Sequence, residues 1–199
     1  ARPEEYDDLI DFGNMVFKTD FAALLPKLYK GHPELAQHHY LALEDGKIKG
    51  MVASIPLEFS VGGEIVKAFG IGTVSVHPYA RGRGYMKGLM NRAVADPKAA
   101  GADLMCLGGQ RQRYEYFGFG CVCQQRSYTL TPTNRRHWKK ISTEGIEILP
   151  LSENSAYTAD CLKLHNAQPI HAVRKLEDFA EICRSWSCAP WVIRKNGVF

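Results

Sequence analysis

Apolar and polar positions change period several times along the chain, and each change marks an element. Between Pro3 and Phe17, Leu9, Ile10, Phe12, Val16 and Phe17 recur among acids at helical spacing, which predicts a first helix. A second, short helix is expected over Phe21 to Lys30, before the Gly31–His32–Pro33 break. The period then falls to two. His38 to Leu43 reads as a strand, Asp45–Gly46 as a hairpin turn and Lys49 to Val61 as a longer returning strand. Pro56 inside that run predicts a bulge or an edge position. After a Gly62–Gly63 turn, Ile65 to Val76 forms the last strand of a meander, with Val74 and Val76 alternating before Pro78. Helical spacing returns in Met86, Leu89, Met90, Ala93 and Val94, predicting a helix from Gly84 to about Asp96 that Pro97 ends or kinks.

Further on, Asp103 to Leu107 predicts a strand, Arg111 to Phe117 a short helix and Cys121 to Leu130 another strand. Strands joined by helical crossovers argue for an α/β (α+β) architecture, a mixed sheet covered on both faces. Beyond Pro132 the pattern changes. Arg135, Arg136, Lys139 and Lys140 surround Trp138 in a basic linker, read as solvated or, more sharply, as a nucleic-acid contact. Ile146 to Leu151 is a predicted strand, Tyr157 to Asn166 and Leu176 to Trp186 are predicted helices, and Trp191 to Lys195 opens a hairpin through Asn196–Gly197. This order repeats that of residues 3–61: YLALEDGKIKG and WVIRKNGVF are both strand, Asp/Asn-Gly turn, strand. The expected division is therefore 1–131 as one domain, 132–144 as linker and 145–199 as the start of a second half. Its returning strand is unfinished, and an edge carrying Trp191, Ile193 and Val198 or Phe199 predicts self-association unless further chain covers it.

Composition excludes some classes. The 199 residues are 45% hydrophobic and 23% charged, the balance of a soluble globular protein, with no run of the roughly 18 apolar residues a membrane span needs. The start, ARPEEYDDL, is acidic and has no signal-peptide core. The six cysteines lack C-x-x-C spacing, which predicts reduced thiols in a cytoplasmic protein and no metal site. Charge is uneven: residues 1–75 carry a net −4, residues 76–140 a net +9 and residues 141–199 a net −1. The positive segment suits a multiply anionic ligand. Nucleic acid would also be attracted, but no aromatic-interleaved stripe or nucleic-acid module accompanies the charge.

That segment surrounds TVSVHPYARGRGYMKGLMNR, residues 73–92. Gly82 and Gly84 sit where the helix begins, its first N–H groups lack partners, and Arg81 and Arg83 add formal charge, a setting for phosphate or pyrophosphate. Neither a Walker loop nor the dinucleotide G-x-G-x-x-G is present. The string V-x-V-x-P-x-x-R-G-x-G resembles the acetyl-CoA motif of the GNAT N-acetyltransferases, [QR]-x-x-G-x-[GA], with Arg81, Gly84 and Met86 in its three places. Met86 replaces the usual small residue. The resemblance extends over roughly residues 3–131 and implies the GNAT fold, a mostly antiparallel central sheet flanked by helices. It further implies acetyl-CoA held by Val74, Val76, Arg81, Gly82, Arg83, Gly84, Tyr85 and Met86.

A second string, RYEYFGFG from Arg113 to Gly120, resembles the family's [FY]-Y-x-x-x-G-F, although Arg113 departs from the aromatic first position. The resemblance implies that Tyr114 protonates the departing thiolate of coenzyme A; a phenol and a thiolate are of comparable basicity. Tyr116, two residues on, is its neighbour on another side of the helix. Glu58 and His77 are the candidates for a base. The implied reaction is direct attack of a primary amine, on a small molecule or peptide, upon the thioester. Backbone amides near Val74 and Val76 would orient the carbonyl. The tandem halves resemble the enhanced-intracellular-survival type of acetyltransferase. A degenerate CoA-binding scaffold and a basic nucleic-acid module are the alternatives.

Overall fold

In a computed structural model of the chain, residues 1–122, 126–129, 131–135, 137, 142–152 and 155–199 are described. A turn of 3-10 helix at Pro3–Glu5 leads into α1 (Tyr6–Phe17), which buries Tyr6, Leu9, Phe12 and Gly13. Its end is a left-handed Lys18, and Asn14 Oδ1 accepts from Phe21 N–H to start the next turn. The expected second helix is two single turns, α2 (Phe21–Leu24) and α3 (Pro26–Tyr29). The break follows from Pro26, whose ring pushes Leu25 out of the helical region, to φ −136° and ψ 64°.

The main sheet is built on a long hairpin. Strand β1 (His39–Glu44) pairs antiparallel with β2 (Lys47–Val61), and β2 with β3 (Glu64–Val76). Both Asp45 and Gly46 take positive φ, as a two-residue turn matching the strand twist requires. Met51 belongs to the cluster under α1–α3, whereas Val52, the next residue, belongs to the cluster on the opposite face. That opposite face is covered by α4 (Tyr85–Ala99) through Leu89, Met90 and Ala93. Beyond α4, β4 (Leu104–Cys106) runs parallel to β3.

Two prolines behave informatively. Pro56 sits between Ala53 and Glu58 of β2, a stretch flanked by β3 on one side and, among the described residues, by no paired strand on the other, the edge position that was one of the two expectations. Of the two outcomes expected at Pro97, an end or a kink, the end is not seen: the helix runs on to Ala99. The carbonyl that Pro97 cannot bond, that of Ala93, accepts instead from the buried Ser54 hydroxyl at 3.3 Å.

The C-terminal part begins after α5 (Arg111–Tyr114), a 3-10 turn at Glu115–Phe117 and the short α6 (Pro132–Arg135). The strand expected over Cys121 to Leu130 is not formed by residues 121–122 and 126–129. Val122 and Tyr128 are 92% and 84% exposed, with no face to bury their alternating apolar positions. Residues 123–125 and 130 of that segment lie outside the described residues, as do Arg136, Trp138, Lys139 and Lys140 of the basic linker. Strand β5 (Ile146–Pro150) pairs antiparallel with β7 (Trp191–Lys195), and Leu149 and Val192 pack on α7 (Thr158–Asn166) and α8 (Leu176–Cys183). The period-two reading did not find β6 (Ile170–Ala172), a three-residue strand that pairs with Phe59–Val61 of β2 and attaches the C-terminal elements to the main sheet. A Lys27–Asp178 ion pair, N to O 2.9 Å, adds a second link. No helix among the described residues is long and apolar enough to cross a membrane.

Candidate active site

The site arises from a failure of pairing. Strands β3 and β4 pair only where Ala68–Gly70 meets Leu104–Cys106; from there to Val76, β3 has no partner on that side among the described residues. On its other side the β2–β3 register slips, because Met51 to Ala53 opposes Ser75 to Gly72. The extra residue bulges at Thr73, a β-branched residue held at φ 46°. Ser75 Oγ bonds the Thr73 carbonyl at 2.9 Å and braces the bulge. Beneath it, His39 Nδ1 donates to the Leu35 carbonyl, since a carbonyl can only accept; Nε2 is then the acceptor for Tyr29 O–H at 2.9 Å. With Tyr29 engaged, the neighbouring Thr73 hydroxyl is buried without a partner. Burial pushes the Tyr29 phenol well above its ordinary range and lowers the His39 imidazole to about 4, so both stay neutral.

Where the strands part there is a cleft of about 1020 Å³. Val74 and Val76 form its floor, and the end of α1, Val16 and Phe17, reaches one side. Another wall is the turn into α4. His77 Nδ1 accepts from Tyr79 N–H at 3.3 Å, capping a 3-10 turn at Pro78–Ala80, and the chain reverses through Gly82 and Gly84 at φ 80° and 82°. Both glycines need that freedom. The first helical bond runs from Gly88 N–H to the Gly84 carbonyl, so the amides of residues 85–87 stand free at the positive end of a 15-residue helix. Arg81 and Lys87 add charge to this wall, and Gln112, Arg113, Tyr116 and Phe117 also line the cleft.

Most of the residues expected to hold the cofactor therefore meet around one cleft: Val74, Val76, Arg81, Gly82, Gly84, Tyr85 and Met86 all line it. Arg83 does not. It turns outward to Glu44, with Nη1 2.9 Å from both carboxylate oxygens, beside a smaller recess shared with Lys47 and Lys49. Tyr114 also lies outside the lining. Its ring is half-buried edge-on against Phe119, centroids 6.5 Å apart, in the cluster that includes Val74 and Met86. A Cβ on Gly109 would fall 2.5 Å from Tyr114 Cε2, so glycine there leaves room for the ring.

Neither candidate base lines the cleft. Glu58 is exposed on β2 opposite Lys67, seven residues from Met51 and hence roughly 23 Å along the strand. His77 is committed to its capping bond. No carboxylate or imidazole occurs among the described lining residues. Sequence reasoning did not assign Lys87, Asn91, Gln112 or Arg113 to the site. Lys87, three residues past Gly84, was within reach of a first-turn argument; Val16 and Phe17 arrive by a long-range contact that leaves no local signal.

Comparison with known proteins agrees with this architecture. No protein of curated function matches the chain. Among solved structures, a conserved protein of Enterococcus faecalis is 15% identical and aligns over 98% of this chain and 51% of its own, with a TM-score of 0.72. Eis1 from Mycobacterium abscessus is 19% identical over 93% of this chain and 48% of its own, at 0.57. A predicted acetyltransferase of Clostridium acetobutylicum, solved with acetyl-CoA, is 17% identical over 65% of this chain and 92% of its own, at 0.54. At these identities the likeness is one of fold, and the chain spans about half the length of the first and second of these proteins. Residues 1–122 match the acetyltransferase (GNAT) domain, and since they include the bulged strand, the glycine turn and α4, the chain belongs to the GNAT acetyltransferase family.

Proposed function

We propose that the chain transfers the acetyl group of acetyl-CoA directly to a primary amine on a small molecule or peptide. The observation that carries this reading is the cleft. A floor of unpaired strand leads to a glycine turn with free amides and two cations, Arg81 and Lys87. An extended, amide-containing arm can hydrogen-bond along the open edge of β3 while a pyrophosphate takes the helix terminus. The bulge re-aims the amides near Val74, which orient and polarise the thioester carbonyl. The amine nitrogen attacks the carbonyl carbon, the carbon–sulfur bond breaks, and Tyr114 gives the leaving thiolate its proton. The phenolate regains a proton from the acylated nitrogen by way of water in the open cleft. Supporting Tyr114 are its place in the R-Y-E-Y-F-G-F string and its packing in one cluster with Val74 and Met86.

The test is thiol release from acetyl-CoA across a panel of amines. Tyr114→Phe is expected to lower kcat by about tenfold or more with acetyl-CoA affinity unchanged, because the proton is needed only as sulfur leaves. Tyr116→Phe is expected to leave kcat intact. The same defect in Tyr116→Phe would transfer the role to that residue. Binding of CoA without turnover of any amine would make the chain a scaffold. Salt-steep binding to arbitrary DNA without CoA binding would make it a nucleic-acid module.

A further inference from the structure

Resting on that reading, we propose that Thr73 and Ser75 are positioning residues for acetyl transfer: together they fix and polarise the Thr73–Val74 peptide, whose N–H donates to the thioester oxygen. Thr73 carries two penalties at once. Its φ of 46° lies in the left-handed region, which a β-branched residue adopts only under strain, and its hydroxyl is buried without a hydrogen-bond partner among the described residues. Glycine at the same place would carry neither. Among the described residues, the other non-glycine positions with left-handed φ, Lys18, Asp45, Trp186, Ser187 and Asn196, all lie in turns; Thr73 alone is inside a strand, one residue before Val74 of the cleft floor. Strain of this kind persists only where the surrounding structure enforces it, and here it sets a backbone direction.

The direction is that of one peptide plane. Ser75 lines the cleft but is only 5% exposed, and its hydroxyl donates to the Thr73 carbonyl at 2.9 Å. That carbonyl and the Val74 N–H belong to one planar trans unit and point in opposite directions. Holding the carbonyl therefore holds the N–H as well. A carbonyl that accepts a hydrogen bond also makes the amide of its own peptide a stronger donor. Thr73 acts at the other end of the unit. Its side chain is seated beside Tyr29, whose hydroxyl donates to His39 Nε2 at 2.9 Å, and this seat opposes a return of Thr73 to extended φ, which would turn the plane away. A glycine would be strain-free here and also free to turn. The two side chains thus act on the thioester through the backbone, without touching it.

Infrared difference spectra of bound acetyl-CoA, isotope-labelled at the thioester carbonyl, test this together with CoA calorimetry, amine turnover and thermal unfolding. A hydrogen bond from the Val74 N–H lowers the carbonyl stretching frequency. Ser75→Ala and Thr73→Gly are each expected to move the band back toward its position in free acetyl-CoA and to lower kcat about tenfold, with CoA affinity held to within about twofold. Thr73→Gly should also keep or raise the melting temperature, because the strain and the unpaired hydroxyl leave together. A side chain that only supported the fold would lose stability along with activity and would leave the band of the bound ligand where it was. A band and kcat unchanged in both variants, or activity lost in step with CoA affinity and melting temperature, overturns the positioning role and leaves the acetyltransferase reading intact. Failure of the wild type to bind acetyl-CoA overturns both.

Discussion

The two ends of the β2–β3 ladder are made of the same kind of chain and do opposite things. At the far end, Ile55–Val61 and Gly70–Glu64 pair without interruption, and β6 extends the sheet along Phe59–Val61. At the near end the register slips, Thr73 is strained, β3 parts from β4, and a cleft opens. Regular pairing satisfies the peptide groups that face one another across the β2–β3 ladder without interruption. The bulge and the splay leave strand edges and helix amides unsatisfied, and they can persist only because the regular end and the buried clusters on both faces hold the strands in place.

The largest expected effect is at the base of the bulge. His39 has a folded pKa of about 4, below its ordinary 6.5, so the folded state takes up its proton later than the unfolded chain does. Its contribution is therefore complete above the unfolded value and is lost as pH falls from 6.5 toward 4, by up to about 3 kcal/mol. Thermal unfolding across that window should show a steeper loss in wild type than in His39→Gln; parallel curves would remove His39 from the near end's support. Next, the far end is expected to be separable from ligand binding. Val173 N–H bonds the Glu58 carbonyl at 2.8 Å, and Val173→Pro removes that donor. Stability should fall by about 1–3 kcal/mol with CoA affinity unchanged; a large affinity loss would show that the two ends are coupled.

The converse belongs to the near end. Arg81→Glu should weaken CoA by about tenfold or more, repulsion replacing a charge-assisted contact. Unfolding temperature and the affinity for pantetheine without phosphate should hardly change. Equal loss for both ligands would deny the turn its phosphate. The smallest effect is expected where the C-terminal elements meet α3. The Lys27–Asp178 pair is 28% exposed on each side, and Lys27→Met should cost below about 1 kcal/mol in a denaturant titration. A larger cost would make that contact, rather than β6, the main attachment.

Much of this was legible in local pattern. Alternation around Asp45–Gly46 and Gly62–Gly63 located the hairpins, because a two-residue turn needs the positive φ these residues adopt. The Arg81–Gly84 turn was visible for the same reason, as glycines abut a helical stripe. Local pattern was incomplete where a distant atom contributes. Pro97 does not end α4, and Ser54, 43 positions earlier in the chain, takes up the orphaned carbonyl. Residues 121–122 and 126–129 alternate but have no strand beside them.

Sequence alone determined α1, the β1–β3 meander, α4 and their order, and the residue types at the glycine turn, since these depend on φ preferences, periodicity and formal charge within a few positions. Tertiary structure decided which of those residues face one another. Arg81 and Arg83 are two apart in a charged turn and look equivalent, yet one lines the cleft and the other is held by Glu44. Tyr114 and Tyr116 differ in the same way, one half-buried on Phe119 and the other open to the cleft. Direction is the physical reason: a side chain two residues along points to another side of its element, and only the packed fold determines what stands there.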